Sequence, residues 1–163
     1  MSKAPVVRWS QLRDPVLFLA FGFGSGLAPK APGTAGTLAA VPLFLAVAAA
    51  GQGAVLLVTA VLCVAGIWLC GRAAERLDCH DHPGIVWDEF AGLFITLSVV
   101  PPTALNIVFG FVFFRLFDVL KPWPIRAVDH SMSGGLGIML DDVIAGVFAA
   151  AALLLTVRFL PVL

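Results

Sequence analysis

The chain has 163 residues, 60% of them hydrophobic and 12% charged, with a mean hydropathy of +1.01 and ten basic residues matched by ten acidic ones. A soluble domain carries about 25% charged residues, so this composition belongs in a membrane, and the length suits one domain, 1–163, rather than two. A net charge of zero offers no basic patch for nucleic acid, and Cys63, Cys70 and Cys79 form neither a disulfide framework nor a Cys-rich zinc site.

Residues 1–14 are polar and include Trp9, a side chain suited to an interface. No cleavage-like site follows a suitable apolar core, so no secretory signal is expected. Residues 15–28 form an apolar run too short for a span, which needs about 20 residues, and a buried, re-entrant or interfacial segment is expected there. Its Gly22-Phe23-Gly24-Ser25-Gly26 stretch lacks the Gly-Lys-Ser/Thr ending of a phosphate loop and follows no strand, which excludes nucleotide binding. The run breaks at Pro29-Lys30-Ala31-Pro32-Gly33-Thr34, read as a turn.

Five spans are expected beyond this point: about 35–50, 54–71, 85–100, 103–120 and 138–160. Gly51-Gln52-Gly53, the polar segment 72–84, Pro101-Pro102, and Lys121-Pro122-Trp123-Pro124 with the glycine-rich 134–137 separate them. The predicted fold is an all-α polytopic membrane bundle of about five spans plus the N-terminal segment. With the N-terminus inside, every charged side chain except Arg158 falls on the inner side, and Arg72, Arg76, Lys121 and Arg126 obey the positive-inside rule. Any chemistry is therefore expected at the cytoplasmic leaflet. Gly146 and Ala150 in the last span, and Ala35 and Ala39 in the first, have the spacing of helix-packing positions.

Asp88-Glu89 opens the third span, and Asp141-Asp142 opens the fifth. Carboxylates in a helix's first turn are favoured by the helix dipole, which alone would explain either pair. Two such pairs at apolar segments, where an unpaired charge costs several kcal/mol, point instead to a bound cation. Asp118 shares a helix face with Arg115 and Lys121. An ion pair would account for Arg115 and Asp118, and a metal for Asp118 with a phosphate for Arg115 would do so equally. Arg126 and Asp129 repeat the basic–acidic spacing and would also suit an interfacial segment. Asp78-Cys79-His80-Asp81-His82 is dense in possible ligands. As a loop it better suits acid–base help or tethering near Asp88, and His130 is a weaker case of the same kind. Thr34 and Thr37, near a helix start, could receive an anion. The metal candidates are Asp88, Glu89, Asp118, Asp141 and Asp142. Arg115, Lys121, Arg126, Thr34 and Thr37 are the phosphate candidates, and Asp88, Glu89, Asp118, Asp142 and His82 the catalytic ones.

Carboxylates and a divalent ion flanked by Arg and Lys at the inner leaflet suit phosphoryl chemistry on a lipid. Both metal-activated water and an Asp nucleophile are compatible with these residues. The chain resembles the phosphatidylglycerophosphatase A family over almost its whole length. The stretches concerned are Gly22–Pro29, Pro32–Thr37, His80-Asp81-His82, Ile85–Glu89, Phe114–Asp118, Lys121–Arg126, Gly134-Gly135, Gly137-Ile138-Met139 and Asp141-Asp142. The resemblance implies Mg²⁺-dependent hydrolysis of phosphatidylglycerophosphate to phosphatidylglycerol and phosphate by a multi-pass protein of the bacterial inner membrane. It implies a phospholipid partner and no nucleotide.

Two other classes of membrane protein fit this sequence less well. A small transporter would use intramembrane acids, but usually with paired repeats and a midplane site. This chain shows no repeat, and its acids gather at one face. A non-catalytic membrane subunit would have no need of five acids matched with arginines.

Overall fold

The computed structural model describes residues 5–79, 82–127 and 132–159. Among the described residues the structure is all helix and turn, with no strand. A 3-10 turn at Trp9–Arg13 precedes α1, Pro15–Ala20. Asp14 caps α1, its Oδ1 accepting from the Val16 N–H at 2.9 Å, with Pro15 at the first helical position. A second 3-10 segment, Gly22–Leu27, follows, in which Phe23 and Gly24 take φ of 59° and 98°.

The α-helix of this N-terminal unit is too short to cross a membrane: its six residues rise about 9 Å against a hydrocarbon core of about 30 Å. It folds back onto the start of the later helices. The Val86 N–H donates to the Ala20 carbonyl at 2.8 Å, and the Phe23 ring lies 6.1 Å from that of Phe90. Asp14 pairs with Arg76.

Five longer helices form the bundle: α2 Pro32–Ala48, α3 Gln52–Leu77, α4 Trp87–Leu97, α5 Ala104–Leu120 and α6 Gly134–Phe159. Their order matches the sequence reading, but their limits differ. α2 begins at Pro32, because proline is pre-organised for the first helical position. α3 runs on through the polar residues expected to be loop, where Arg72 and Glu75 pair at 2.8 Å, and it ends at Asp78 in the left-handed region. α6 starts at Gly134, so Asp141 and Asp142 lie two turns into the helix rather than at its mouth.

α3 and α6, each of 26 residues, are long and apolar enough to cross a membrane. α3 leaves Leu56, Leu57, Val61, Val64, Ile67 and Trp68 exposed, an outward face that suits lipid better than water. α4 is only 11 residues long and rises about 16 Å, half a bilayer core. The expected third span is therefore a short helix held inside the bundle. Phe90, Ala91, Leu93, Phe94 and Leu97 are all buried.

Small residues let the helices close on α4. A Cβ on Gly146 would lie 2.6 Å from the Gly92 carbonyl oxygen, so α4 and α6 touch backbone to backbone. Thr96 Oγ1 reinforces the contact, reaching across to the Gly146 carbonyl at 3.3 Å while it donates to the Gly92 carbonyl of its own helix at 2.8 Å. Ala150 is buried as expected, but in α2 the packing stripe is Gly36, Ala40 and Phe44, one residue on from Ala35 and Ala39. The Gln52 side chain donates to the Ser98 carbonyl at the far end, while Gly71 of α3 sits against Gly135 of α6 at the near one. α2, α4 and α6 thus start, and α3 and α5 finish, at one end of the bundle.

Candidate active site

That shared end carries a cleft of about 400 Å³. Its lining includes Asp88 and Glu89 from α4, Arg115 and Asp118 from α5, Asp141 and Asp142 from α6, Lys121 just beyond α5, and Pro32 and Gly33 from the start of α2. Asp88 lies one turn before Gly92, and Asp142 one turn before Gly146. On a helix, positions four apart share a face. The glycine contact therefore brings the two carboxylates together.

The result is a three-carboxylate cluster. One oxygen from each of Asp88, Glu89 and Asp142 lies within 4.8 Å of the other two. Glu89 Oε2 and Asp142 Oδ2 are buried and accept no hydrogen bond. Unpartnered buried carboxylate oxygens are costly, and a cation is the partner that would satisfy them. The donors are all hard oxygens, which suit Mg²⁺, Mn²⁺ or Ca²⁺ rather than a soft metal. The chemistry of the cluster thus fits a divalent ion.

The other two expected ligands have basic partners. Arg115 Nη1 lies 2.6 Å from Asp118 Oδ2 and 3.7 Å from Glu89 Oε1. Lys121 Nζ lies 2.5 Å from Asp141 Oδ2. Arg115 and Lys121 line the cleft as expected, and each is engaged with a carboxylate there. Thr37 is fully buried. Its hydroxyl donates to the Gly33 carbonyl at 2.9 Å and accepts from Arg115 Nη1 at 3.4 Å, so it steadies the arginine rather than meeting a ligand.

Three phosphate or catalytic candidates stand apart. Thr34 is half-buried in the first turn of α2 and does not line the cleft. Arg126 is exposed and lines a neighbouring groove. His82 is buried outside the acidic cleft with both ring nitrogens occupied. Nε2 meets the Pro5 carbonyl at 2.7 Å, and Nδ1 accepts from the Gly84 N–H at 3.0 Å. The expected tether was to the Asp88 region, whereas these bonds tie His82 to the N-terminal segment at Pro5 and to its own turn at Gly84. His80, Asp81, Asp129 and His130 lie outside the described residues.

Two residues of the site escaped the sequence reading. Gly33 lies so close to Glu89 that a Cβ would collide with its carboxylate and come within 3.2 Å of the Arg115 guanidinium nitrogens. Gly92 was also missed. Its signal was present, since Asp88-x-x-Ala91-Gly92 and Asp142-x-x-Ala145-Gly146 are the same pattern.

Fold and site together define a helical membrane protein with an acidic cluster that could hold a divalent cation at one end of its bundle. The phosphatidylglycerophosphatase A family model matches residues 18–157, and the chain belongs to that family. It is 46% identical over 145 residues to the phosphatidylglycerophosphatase A of Escherichia coli, covering 88% of this chain and 84% of that one. It is 44% identical over 140 residues to that of Haemophilus influenzae, covering 85% and 86%. A relative from Bacteroides thetaiotaomicron, 40% identical over 146 residues and covering 83% and 88%, is provisionally named a phosphatidylinositol-3-phosphatase. No solved structure matches the chain.

Proposed function

We infer that the protein hydrolyses the phosphomonoester of phosphatidylglycerophosphate, giving phosphatidylglycerol and phosphate. The observation that carries this reading, beside family membership, is the meeting of Asp88, Glu89 and Asp142 in a cleft that also holds Arg115 and Lys121. Asp88, Glu89 and Asp142 would hold the metal, with Mg²⁺ the ion we assign. When bound, such an ion neutralises phosphoryl charge and makes water a competent nucleophile near neutral pH.

The chain's own residues supply position and charge. Asp118 and Glu89 brace Arg115 from two sides, and Thr37 braces it from a third. A guanidinium so fixed keeps its place when a phosphate arrives, which is where preorganised electrostatics gain their effect. Asp141 holds Lys121 at the edge of the cleft, where an ammonium can meet phosphate oxygens as a point charge. Carboxylates and cations line the same cleft, so a reacting phosphate there meets both.

We place the cleft at the cytoplasmic leaflet of the bacterial inner membrane, in a bundle of five membrane-embedded helices. The charge distribution supports this: the far end carries Gly51, Gln52, Ser98 and Pro101 at its turns, and among the described charged residues Arg158 alone belongs to that half. The test is phosphate release by the purified full chain in detergent, with Mg²⁺ and with chelator. The substrates compared are phosphatidylglycerophosphate and phosphatidylinositol 3-phosphate, the lipid that the Bacteroides relative's name denotes. Mg²⁺-dependent release from the first, well above the second, is expected. Release from phosphatidylinositol 3-phosphate alone, or from neither, would overturn the assignment.

A further inference from the structure

The acidic cleft has a neighbour of opposite character. Beyond the end of α5 the chain turns at Pro122–Pro124 and re-enters a helical turn, with the Ile125 N–H donating to the Pro122 carbonyl at 2.8 Å. Ile125 is fully buried and pins the turn to the bundle. The turn forms a groove of about 540 Å³ lined by Leu120, Lys121, Pro122, Trp123, Arg126 and Ala127. Among the described residues two cations line it and no carboxylate does. Trp123 is 84% exposed and Leu120 67%, so the rim is apolar and amphipathic, as suits a headgroup region. Arg126 is exposed and pairs with no acid among the described residues. Lys121 belongs to both the groove and the acidic cleft, so the two adjoin.

The proposed substrate carries two phosphates, a terminal monoester and a diester leading to the acyl chains, joined by a three-carbon glycerol. The cleft presents five carboxylates against two cations, both already engaged. With a divalent ion bound the lining still carries one negative charge in excess, so a phosphate enters there only by way of the ion and a second anion would meet net repulsion. We propose that the groove of Lys121, Trp123 and Arg126 is the subsite for the lipid phosphodiester, with Arg126 as the residue that selects lipids carrying one. Arg126 is suited to this by its fixed fork of donors, which matches phosphate oxygens in pairs. The monoester then reaches the acids while the diester stays at headgroup level. This rests on the phosphatase reading above and assigns its two phosphates to separate places.

The experiment uses phosphatidylglycerol, the product, which has the diester and no monoester, and inorganic phosphate, which has no diester. Each is tested as an inhibitor of phosphate release by the full chain and by Arg126→Gln and Arg126→Lys. Arg126→Gln is expected to weaken inhibition by phosphatidylglycerol about tenfold, as for loss of one charge-assisted contact. Inhibition by inorganic phosphate should keep its strength, and Arg126→Lys should recover part of the difference. Unchanged phosphatidylglycerol inhibition, or equal weakening of both inhibitors, would overturn the subsite. Native mass spectrometry of the detergent-purified chain with phosphatidylglycerol, and with diacylglycerol as the control lacking a diester, reads the same contact without turnover. Selective phosphatidylglycerol binding that Arg126→Gln abolishes would uphold the subsite even if no phosphate were released, in which case the hydrolase reading alone would fail. Binding that Arg126→Gln leaves intact would refute it.

Discussion

Gly92 and Gly146 meet backbone to backbone, and each stands one turn after an aspartate of the three-carboxylate cluster. The Gly146 position has 2.6 Å between an added Cβ and the Gly92 carbonyl oxygen, a backbone atom with no means of swinging aside. The contact that packs α4 on α6 is thus also the one that sets Asp88 beside Asp142. Gly146→Ala is expected to part the two helices and cost about 1–3 kcal/mol of stability. A carboxylate displaced by about 1 Å is expected to lower phosphate release on the order of 100-fold. Thermal unfolding in detergent and the release assay together check this. An alanine variant with wild-type activity would detach the glycine contact from the site.

Gly33 makes a similar demand from α2. Its missing side chain leaves room for the Glu89 carboxylate and the Arg115 guanidinium. Gly33→Ala is expected to reduce phosphate release at least about tenfold by misplacing both groups. The fold should persist, because Gly33 sits in the first turn of α2 at the cleft edge, away from the packing stripe. Circular dichroism and the release assay separate these two effects.

Thr37 tests whether Arg115 needs its brace. Thr37→Val keeps the shape and removes the hydroxyl that links the Gly33 carbonyl to Arg115. The expected stability loss is about 1 kcal/mol. Phosphate release should fall several-fold, and Thr37→Ser should restore it. Equal behaviour of the valine and serine variants would show that the hydroxyl does nothing for the arginine.

Much of this was legible in the chain. Acid pairs at apolar segments have few uses, and proline and glycine breaks gave the order of the helices and the end at which charge collects. Helix limits were harder to read wherever packing overrides propensity. Gly134, Gly135 and Gly137 look like loop, yet a side chain on Gly135 would strike the backbone of Ile67 and Gly71 in α3, so glycine is what lets α6 begin there. Arg72 and Arg76 look like the end of a span, yet pairing with Glu75 and Asp14 carries α3 onward to Leu77. Which acids cluster and which pair with bases could not be read from spacing at all. Asp118 meets Arg115 within one helix, whereas the cluster depends on how α4 and α6 cross.

Asp88, Glu89 and Asp142 are expected to hold one divalent ion. The direct measurement is binding of Mn²⁺, as a paramagnetic stand-in for Mg²⁺, to the purified full chain and to Asp142→Asn, followed by electron paramagnetic resonance. Loss of an outer partner of a metal ligand already costs roughly 10–100-fold in affinity, so loss of a ligand should cost at least that. Tight binding by the wild type and weakening of this size in the variant are predicted. Equal affinity in the two proteins would contradict the claim.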